Sequence, residues 1–359
     1  MLAACHSGLE VPALRVEVLR LLRRLMPIDA AFFATADPGT LLFTGALSEE
    51  PLQAAAPFFL DNEFGGQDVN RFVALATTGP AVASLDGATR HDRQSSPRSR
   101  EIMRPLGLGD ELRAALLTGS DCWGYLCLHR TDTELGFTEA EAALVTRLAP
   151  HIAHALRQAV LLYGSSAGRG DGAPGVLVLT DALDVVAMSP EAEHLLSLIA
   201  APSAGARVPI VVLAVVLALR ATRRGPAVPG RTPSARVPLL TGGWLTVHAS
   251  WLRGPSGEDR VTVVLQPAPA SDTVPLMLSA HGLTPREAQV ARLVLRGAST
   301  LEMVDAMRIS RYTVQDHLKA VFDKVGVRSR RDLAGALLGQ GAGEAPPGGV
   351  SAPFVSGGG

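Results

Sequence analysis

At 359 residues the chain is long enough for two or three domains, and its 47% hydrophobic content is ample for real cores. Its 33 basic and 34 acidic residues nearly cancel, but unevenly: Ser279 to Gln340 holds ten basic and six acidic residues, +4, leaving 23 against 28, −5, elsewhere. Only two lysines occur, Lys319 and Lys324, so no G-x-x-x-x-G-K-[ST] loop exists and P-loop ATP hydrolysis is excluded.

Three cysteines, Cys5, Cys122 and Cys127, are odd in number and lack framework spacing, which points to a reducing compartment. No basic n-region with an h-region marks a secretory signal. The longest apolar run, Val208 to Leu219, is too short to span a bilayer and carries Pro209 near its start, so it predicts a buried helix. The expectation is a soluble cytoplasmic protein with no membrane partner.

In chain order, Leu14 to Met26 predicts an amphipathic helix. Short apolar runs around Asp37-Pro38-Gly39 predict a hairpin, and Pro51 to Leu60 a helix. Leu85 to Arg104, rich in Arg, Ser and Asp, predicts an exposed loop leading into a helix. Glu111 to Leu117 and Trp123 to Leu128 predict strands joined by a Gly-Ser-Asp turn, and Thr138 with Glu141 opens a long helix through Leu162. This order, with the W-G-x-L-x-L-H-R run at Trp123 to Arg130 and the F-T-x-x-E start at Phe137 to Glu141, resembles a GAF domain. The resemblance implies a sheet-and-helix sensor module that binds a small molecule or simply dimerises.

Gly164 to Gly175 is a Gly/Ser-rich linker by composition. VLVLTDALDVVAMSPEAEHLL then predicts strand, turn, strand and a helix opened at Ser189-Pro190, which resembles the start of a PAS-like domain. The buried helix follows, then an Arg/Pro/Gly-rich loop from Arg223 to Pro238. Trp244 to Leu252 and Arg260 to Gln266 predict two antiparallel strands around a turn at Gly254 to Asp259. A linker from Pro267 to Asp272 leads to a short helix. No internal repeat is apparent, and the Gly/Pro-rich tail from Gln340 predicts disorder.

Leu283 to Leu338 predicts four helices with chemically marked ends. Thr284 with Glu287 and Ser299 with Glu302 form capping boxes, and Pro285 sits at a first helical position. Gly297 and Gly326 suit helix ends, while Ser310, and Ser329 with Asp332, suit starts. The stripe Val314, Leu318, Val321, Val325 marks one face of the third helix as buried and leaves Gln315, Asp316 and Lys319 on the other. A short helix, a turn around Arg308 to Ser310, and a longer helix make a helix-turn-helix pattern.

The elements L-T-P-R-E at Leu283, R-G at Arg296, I-S at Ile309, T-V-x-x-H-L at Thr313, K-V-G-V at Lys324 and S-R at Ser329 resemble the LuxR-type (FixJ/NarL-like) family of bacterial transcription regulators, in family order. The resemblance implies that the third helix reads the major groove through Gln315, Asp316 and Lys319. It implies that Thr313 and His317 hold phosphates, helped by Thr284, Ser299, Thr300 and Tyr312, with Ser310 and Arg311 in the same DNA-binding set. The family often has a basic residue where Gln315 stands, and a small, basic or His residue where Tyr312 stands, so the target site is expected to differ. Asp316 has a plainer reading as a solvated partner of Lys319. The fourth helix resembles the family's dimer-forming helix, with Leu333, Leu337 and Leu338 able to serve as ordinary packing on the first.

Other candidates read as structural. His151 and His154 have metal-ligand spacing, but no third ligand is evident, so no metal is expected. Cys127 should point into the core, and Trp123, Trp244 and Trp251 should be core or pocket walls. The G-x-S-x-G spelling at Gly164 to Gly168 falls in a Gly/Ser-rich linker rather than on a strand-to-helix elbow, so no catalytic centre and no cofactor is expected. No lysine precedes Lys319, which argues against a phospho-receiver domain.

The fold expected is multidomain α+β. A GAF-like domain spans 1–163, a linker 164–175, a PAS-like domain 176–268, a second linker 269–279, an all-α helix-turn-helix domain 280–339, and a disordered tail 340–359. The expected function is a non-enzymatic, homodimeric transcription regulator. It would bind double-stranded promoter DNA at an inverted repeat under control of an unidentified small molecule. The alternative is a small-molecule sensor or dimerisation protein in which DNA binding is secondary.

Overall fold

The structure, a computed structural model, describes residues 1–131, 136–164, 172–199, 208–224, 233–254 and 257–338. Most of the expected 164–175 linker, residues 225–232 of the Arg/Pro/Gly-rich loop, residues 255–256 of the last hairpin turn and the 340–359 tail lie outside the described residues. The chain forms two compact units, Met1–Gly282 and Leu283–Gly359.

The first unit opens with α1 (Leu2–Cys5), α2 (Val11–Leu22), β1 (Ala30–Ala36), β2 (Phe43–Ser48), α3 (Ala56–Gly65), α4 (Phe72–Thr77), β3 (Val82–Ser84) and α5 (Leu85–Ala88). Then come β4 (Asp110–Thr118), β5 (Asp121–Arg130) and α6 (Glu139–Gly164). The five strands form an antiparallel sheet in the order β2-β1-β5-β4-β3. β4 and β5 are buried along nearly their whole length, because helices cover both faces of this sheet. Gly124 faces α6, where an added Cβ would lie 2.7 Å from a Leu156 methyl. The alternate positions Tyr125, Cys127 and His129 therefore face the other side. The start of α6 is the expected capping arrangement: Thr138 N–H donates to Glu141 Oε2 at 2.9 Å, and Glu141 N–H donates to Thr138 Oγ1 at 3.3 Å.

A second antiparallel sheet follows from β6 (Gly175–Leu179), β7 (Val185–Met188), α7 (Pro190–Ser197), α8 (Ile210–Arg224), β8 (Ser234–Pro238), β9 (Trp244–Arg253) and β10 (Asp259–Pro267). Its order is β7-β6-β10-β9-β8, so both sheets place their strands second, first, fifth, fourth, third. The repeat is topological and has no counterpart in sequence. On β10, Val261, Val263 and Leu265 are buried, while Thr262 and Val264 between them are half-buried. Helix α8 is the buried helix that its apolar run predicts, since a helix apolar all round must be covered all round. It packs on β9 of the second sheet and on α3 and β2 of the first. One hydrophobic core consequently runs from Phe43, Leu60 and Tyr125 through Val212 and Val215 to Leu245 and Val263.

Two local expectations change. The helix expected from Pro51 starts only at Ala56, after a run of turns. The segment Leu85 to Arg104, expected as an exposed loop leading into a helix, does end in short helical turns, but it is not exposed throughout: Arg98 and Met103 are fully buried. Its charge misleads because Arg98 is bound inside by carboxylates rather than by water. After β10 the expected short helix forms as α9 (Ala270–Ala280), starting inside the stretch expected as linker, and it packs on α6 within the same unit. No helix among the described residues is long and apolar enough to cross a membrane.

Candidate DNA-reading surface and sensor cavity

The second unit contains α10 (Pro285–Leu295), α11 (Thr300–Met307), α12 (Arg311–Val325) and α13 (Arg330–Leu338). The helix starts follow the local chemistry. Both capping boxes form, at Thr284 with Glu287 and at Ser299 with Glu302. Ser310 Oγ accepts from Thr313 N–H at 3.1 Å, and Ser329 Oγ accepts from Asp332 N–H at 3.1 Å. Gly326 ends α12 with φ 80°, and Gly297 follows α10 with φ 77°. The turn between α11 and α12 is made by Arg308 with φ 54° and ψ 45°, a left-handed position held by a residue other than glycine.

On α12, Val314, Leu318 and Val321 are buried and Val325 is half-buried. Arg311, Tyr312, Gln315, Asp316 and Lys319 are exposed, with Tyr312 at 81%. Thr313 and His317 are half-buried. Asp316 and Lys319 form no ion pair among the described residues. The outlying members of the expected DNA-binding set are tied into the scaffold. Thr284, Ser299 and Ser310 are N-caps, Thr313 Oγ1 lies 2.9 Å from Ser310 Oγ, and Thr300 Oγ1 accepts from the Arg330 guanidinium at 2.9 Å. Arg330 also donates to the Ala298 carbonyl at 2.8 Å, which fixes α13 to the start of α11.

The two lysines separate in role. Lys319 stands on the exposed face with no ion pair among the described residues, whereas Lys324 Nζ donates to Glu287 Oε2 at 2.6 Å. Glu287 thus serves its capping box and also anchors the end of α12 to the start of α10. Burial pushes this carboxyl up, but the bonds from Lys324 and Thr284 outweigh it and hold the group below the usual carboxylate range. Leu333 and Leu337 of α13 are buried and α13 packs on α10, while Leu338 is exposed.

The first unit holds a cavity of about 370 Å³ between α3, the first sheet and α8. Phe32, Phe59 and Leu60 line it on one side, and Val208, Ile210 and Leu213 on the other. Glu63, Arg113, Cys127 and His129 give it a polar end. Arg113 bonds Glu63 at 2.8 Å and Glu111 at 3.2 Å, and Arg98 bonds Glu111 as well. Arg98 is also paired with Asp68 at 3.7 Å. Burial raises Glu111, but Arg113 and Arg98 overcome it and hold the carboxyl far below its usual range. Burial raises Glu63, and the opposing guanidiniums do not reverse it. Burial and then Glu111 push the Cys127 thiol well up, and burial brings the His129 imidazole down to about 4 against the pull of Glu111. Cys127 Sγ lies 3.1 Å from His129 Nε2, and His129 Nδ1 is buried without a hydrogen-bond partner among the described residues.

Sequence reasoning missed this cluster. Glu111 pairs with His129 and Arg113 with Cys127 across β4 and β5, a register that spacing along one strand cannot reveal. A third histidine was also hidden: His6, just after α1, lies against His151 and His154, with ring centroids 6.0 and 5.3 Å away.

Residues 281–336 match the family described as bacterial regulatory proteins, luxR family, also called GerE, and residues 16–156 match the GAF domain. No curated protein matches the chain. Among solved structures, the chain is similar to the VqsR LBD domain from Pseudomonas aeruginosa at 15% identity, covering 44% of this chain and 92% of that one, with a TM-score of 0.32. It is similar to a GAF domain/HD domain protein from Geobacter sulfurreducens at 16% identity, covering 45% and 99%, with a TM-score of 0.29. It is similar to Escherichia coli SdiA at 11% identity, covering 92% of each chain, with a TM-score of 0.31. Neither matched domain is a catalytic one. The chain is a transcription regulator in which a GAF sensor domain over residues 16–156 is coupled to a helix-turn-helix DNA-binding domain of the luxR family over residues 281–336.

Proposed function

We propose that the chain acts in the bacterial cytosol as a homodimer that reads an inverted repeat in promoter DNA through α12. In this reading Gln315, Asp316 and Lys319 meet base edges, since an amide can bridge adenine N6 and N7, a carboxylate can accept from cytosine N4, and an ammonium suits guanine. Arg311, Tyr312, Thr313, His317 and Thr300, with the capping residues Thr284, Ser299 and Ser310, meet the phosphates. The observation that carries it is the exposure of Gln315, Asp316 and Lys319 opposite the buried Val314, Leu318 and Val321. Two-fold pairing of such modules would present two α12 helices to successive major grooves.

The same reading assigns signal sensing to the 370 Å³ cavity, a size suited to a small molecule. Its walls come from the first sheet, α3, the turn between β6 and β7, and α8, so an occupant would touch both halves of the first unit. Binding-site selection with the purified chain, followed by footprinting, tests the DNA assignment. The expected result is a palindromic consensus, and recovery of unrelated sequences overturns it.

A further inference from the structure

At and beside the polar end of the cavity lies a group of residues that the DNA-reading function does not use. Glu111 lies on β4, and Cys127 and His129 lie two residues apart on β5. All three are buried, and one donor atom from each lies within 4.8 Å of the others. Two edges of this triangle are short: Cys127 Sγ to His129 Nε2 is 3.1 Å and Cys127 Sγ to Glu111 Oε2 is 3.6 Å. A tetrahedral zinc-class ion with bonds of about 2.3 Å to sulfur and about 2.0–2.2 Å to nitrogen and oxygen separates its ligand atoms by roughly 3.6 Å. We propose that Glu111, Cys127 and His129 bind a divalent transition metal of the zinc class, with the fourth position open to the cavity that Cys127 and His129 help to line.

Charge supports the choice of a divalent ion. Three buried carboxyl groups, Glu63, Asp68 and Glu111, face only two guanidiniums, Arg98 and Arg113. A divalent cation that displaces the Cys127 thiol proton to solvent adds one net positive charge and brings the set to neutrality. The thiolate, imidazole and carboxylate donors suit zinc, or ferrous iron and cobalt as its stand-ins. Arg98 holds Glu111 Oε1 and Arg113 holds Glu111 Oε2 by hydrogen bonds, as outer-shell partners hold a ligating carboxylate. The competing cluster is His6 with His151 and His154, but there Arg157 occupies His154 Nδ1 at 3.1 Å. The metal site extends the sensor reading of the cavity. Its readout is metal binding, so its failure leaves the DNA-reading assignment intact.

The test is titration of the tag-free, full-length chain with Co²⁺. The expected result is one equivalent bound, with a near-ultraviolet sulfur-to-cobalt charge-transfer band and the strong visible bands of a four-coordinate ion. Cys127→Ser should abolish the charge-transfer band, and His129→Gln should weaken binding by about tenfold or more. Cys5→Ser and the His151→Ala/His154→Ala pair should leave both unchanged. If Cys127→Ser fails to fold, X-ray absorption of the zinc-loaded Cys5→Ser chain decides, with one sulfur expected at about 2.3 Å. No cobalt binding, a spectrum without sulfur character, or a band that persists in Cys127→Ser overturns the proposal.

Discussion

Arg236 of β8 and Asp37 of the first hairpin, 199 residues apart in sequence, are joined by two hydrogen bonds to Asp37 Oδ2, from the backbone N–H at 2.9 Å and from Nε at 2.8 Å. A further bond runs from the guanidinium to Oδ1. The same guanidinium donates to the Asp272 carbonyl at the start of α9 at 2.6 Å. One side chain therefore ties the first sheet, the edge of the second and the last helix of the first unit. Asp37 is buried, so its removal strands a guanidinium that is largely out of water. Asp37→Ala should destabilise the first unit by about 3–5 kcal/mol, read from urea denaturation. A change under about 0.5 kcal/mol, the size expected for a surface substitution, would show that the pair is incidental.

Because the core is continuous through α8, the two sheets should lose structure together. Leu245→Ala, at a fully buried position of β9, should cost about 2–5 kcal/mol. Hydrogen exchange in β1 and β5 should accelerate by the same free energy as in β9. Acceleration confined to β6–β10 would mean that the sheets unfold as separate units.

The capping boxes, the α12 stripe and the buried α8 were legible because each is decided within a few residues of chain. A hydroxyl three residues before a carboxylate, or an apolar residue every turn, acts locally. The Arg98–Glu111–Arg113 cluster was not legible, because it depends on a cross-strand register and on a segment whose composition imitates an exposed loop. The role of Lys324 was hidden for the same reason, since its partner Glu287 is 37 residues away. The shared topology of the two sheets was invisible because strand order is fixed by pairing, and unrelated sequences can pair alike.

Glu287 makes the second unit sensitive to acid. Its carboxyl is held below the ordinary range when folded, so its contribution is complete above the ordinary carboxylate pKa and fades as pH falls through the lower folded value. Amide protection in α10 and α12 should decline as pH drops below the ordinary carboxylate range. Glu287→Gln should lower protection at neutral pH and flatten that decline. An unchanged pH profile in the variant would assign the acid sensitivity elsewhere.

Gln315→Ala should relax preference at one base pair per half-site, a discrimination of about 1–3 kcal/mol for a bidentate contact. Selection from a randomised library checks it. An identical consensus for variant and parent would remove Gln315 from base reading.

The exposed face of α12 should bind DNA by charge and sequence together. The most direct test is the affinity of the full-length chain for its selected site across a series of salt concentrations. The logarithm of affinity should fall linearly with the logarithm of salt. Lys319→Ala should make that slope shallower by about one unit if the ammonium meets a phosphate, or keep the slope and lose specificity if it meets a base. Affinity that is independent of salt, equal for unrelated DNA and unchanged by Lys319→Ala would rule out α12 as the DNA-reading surface.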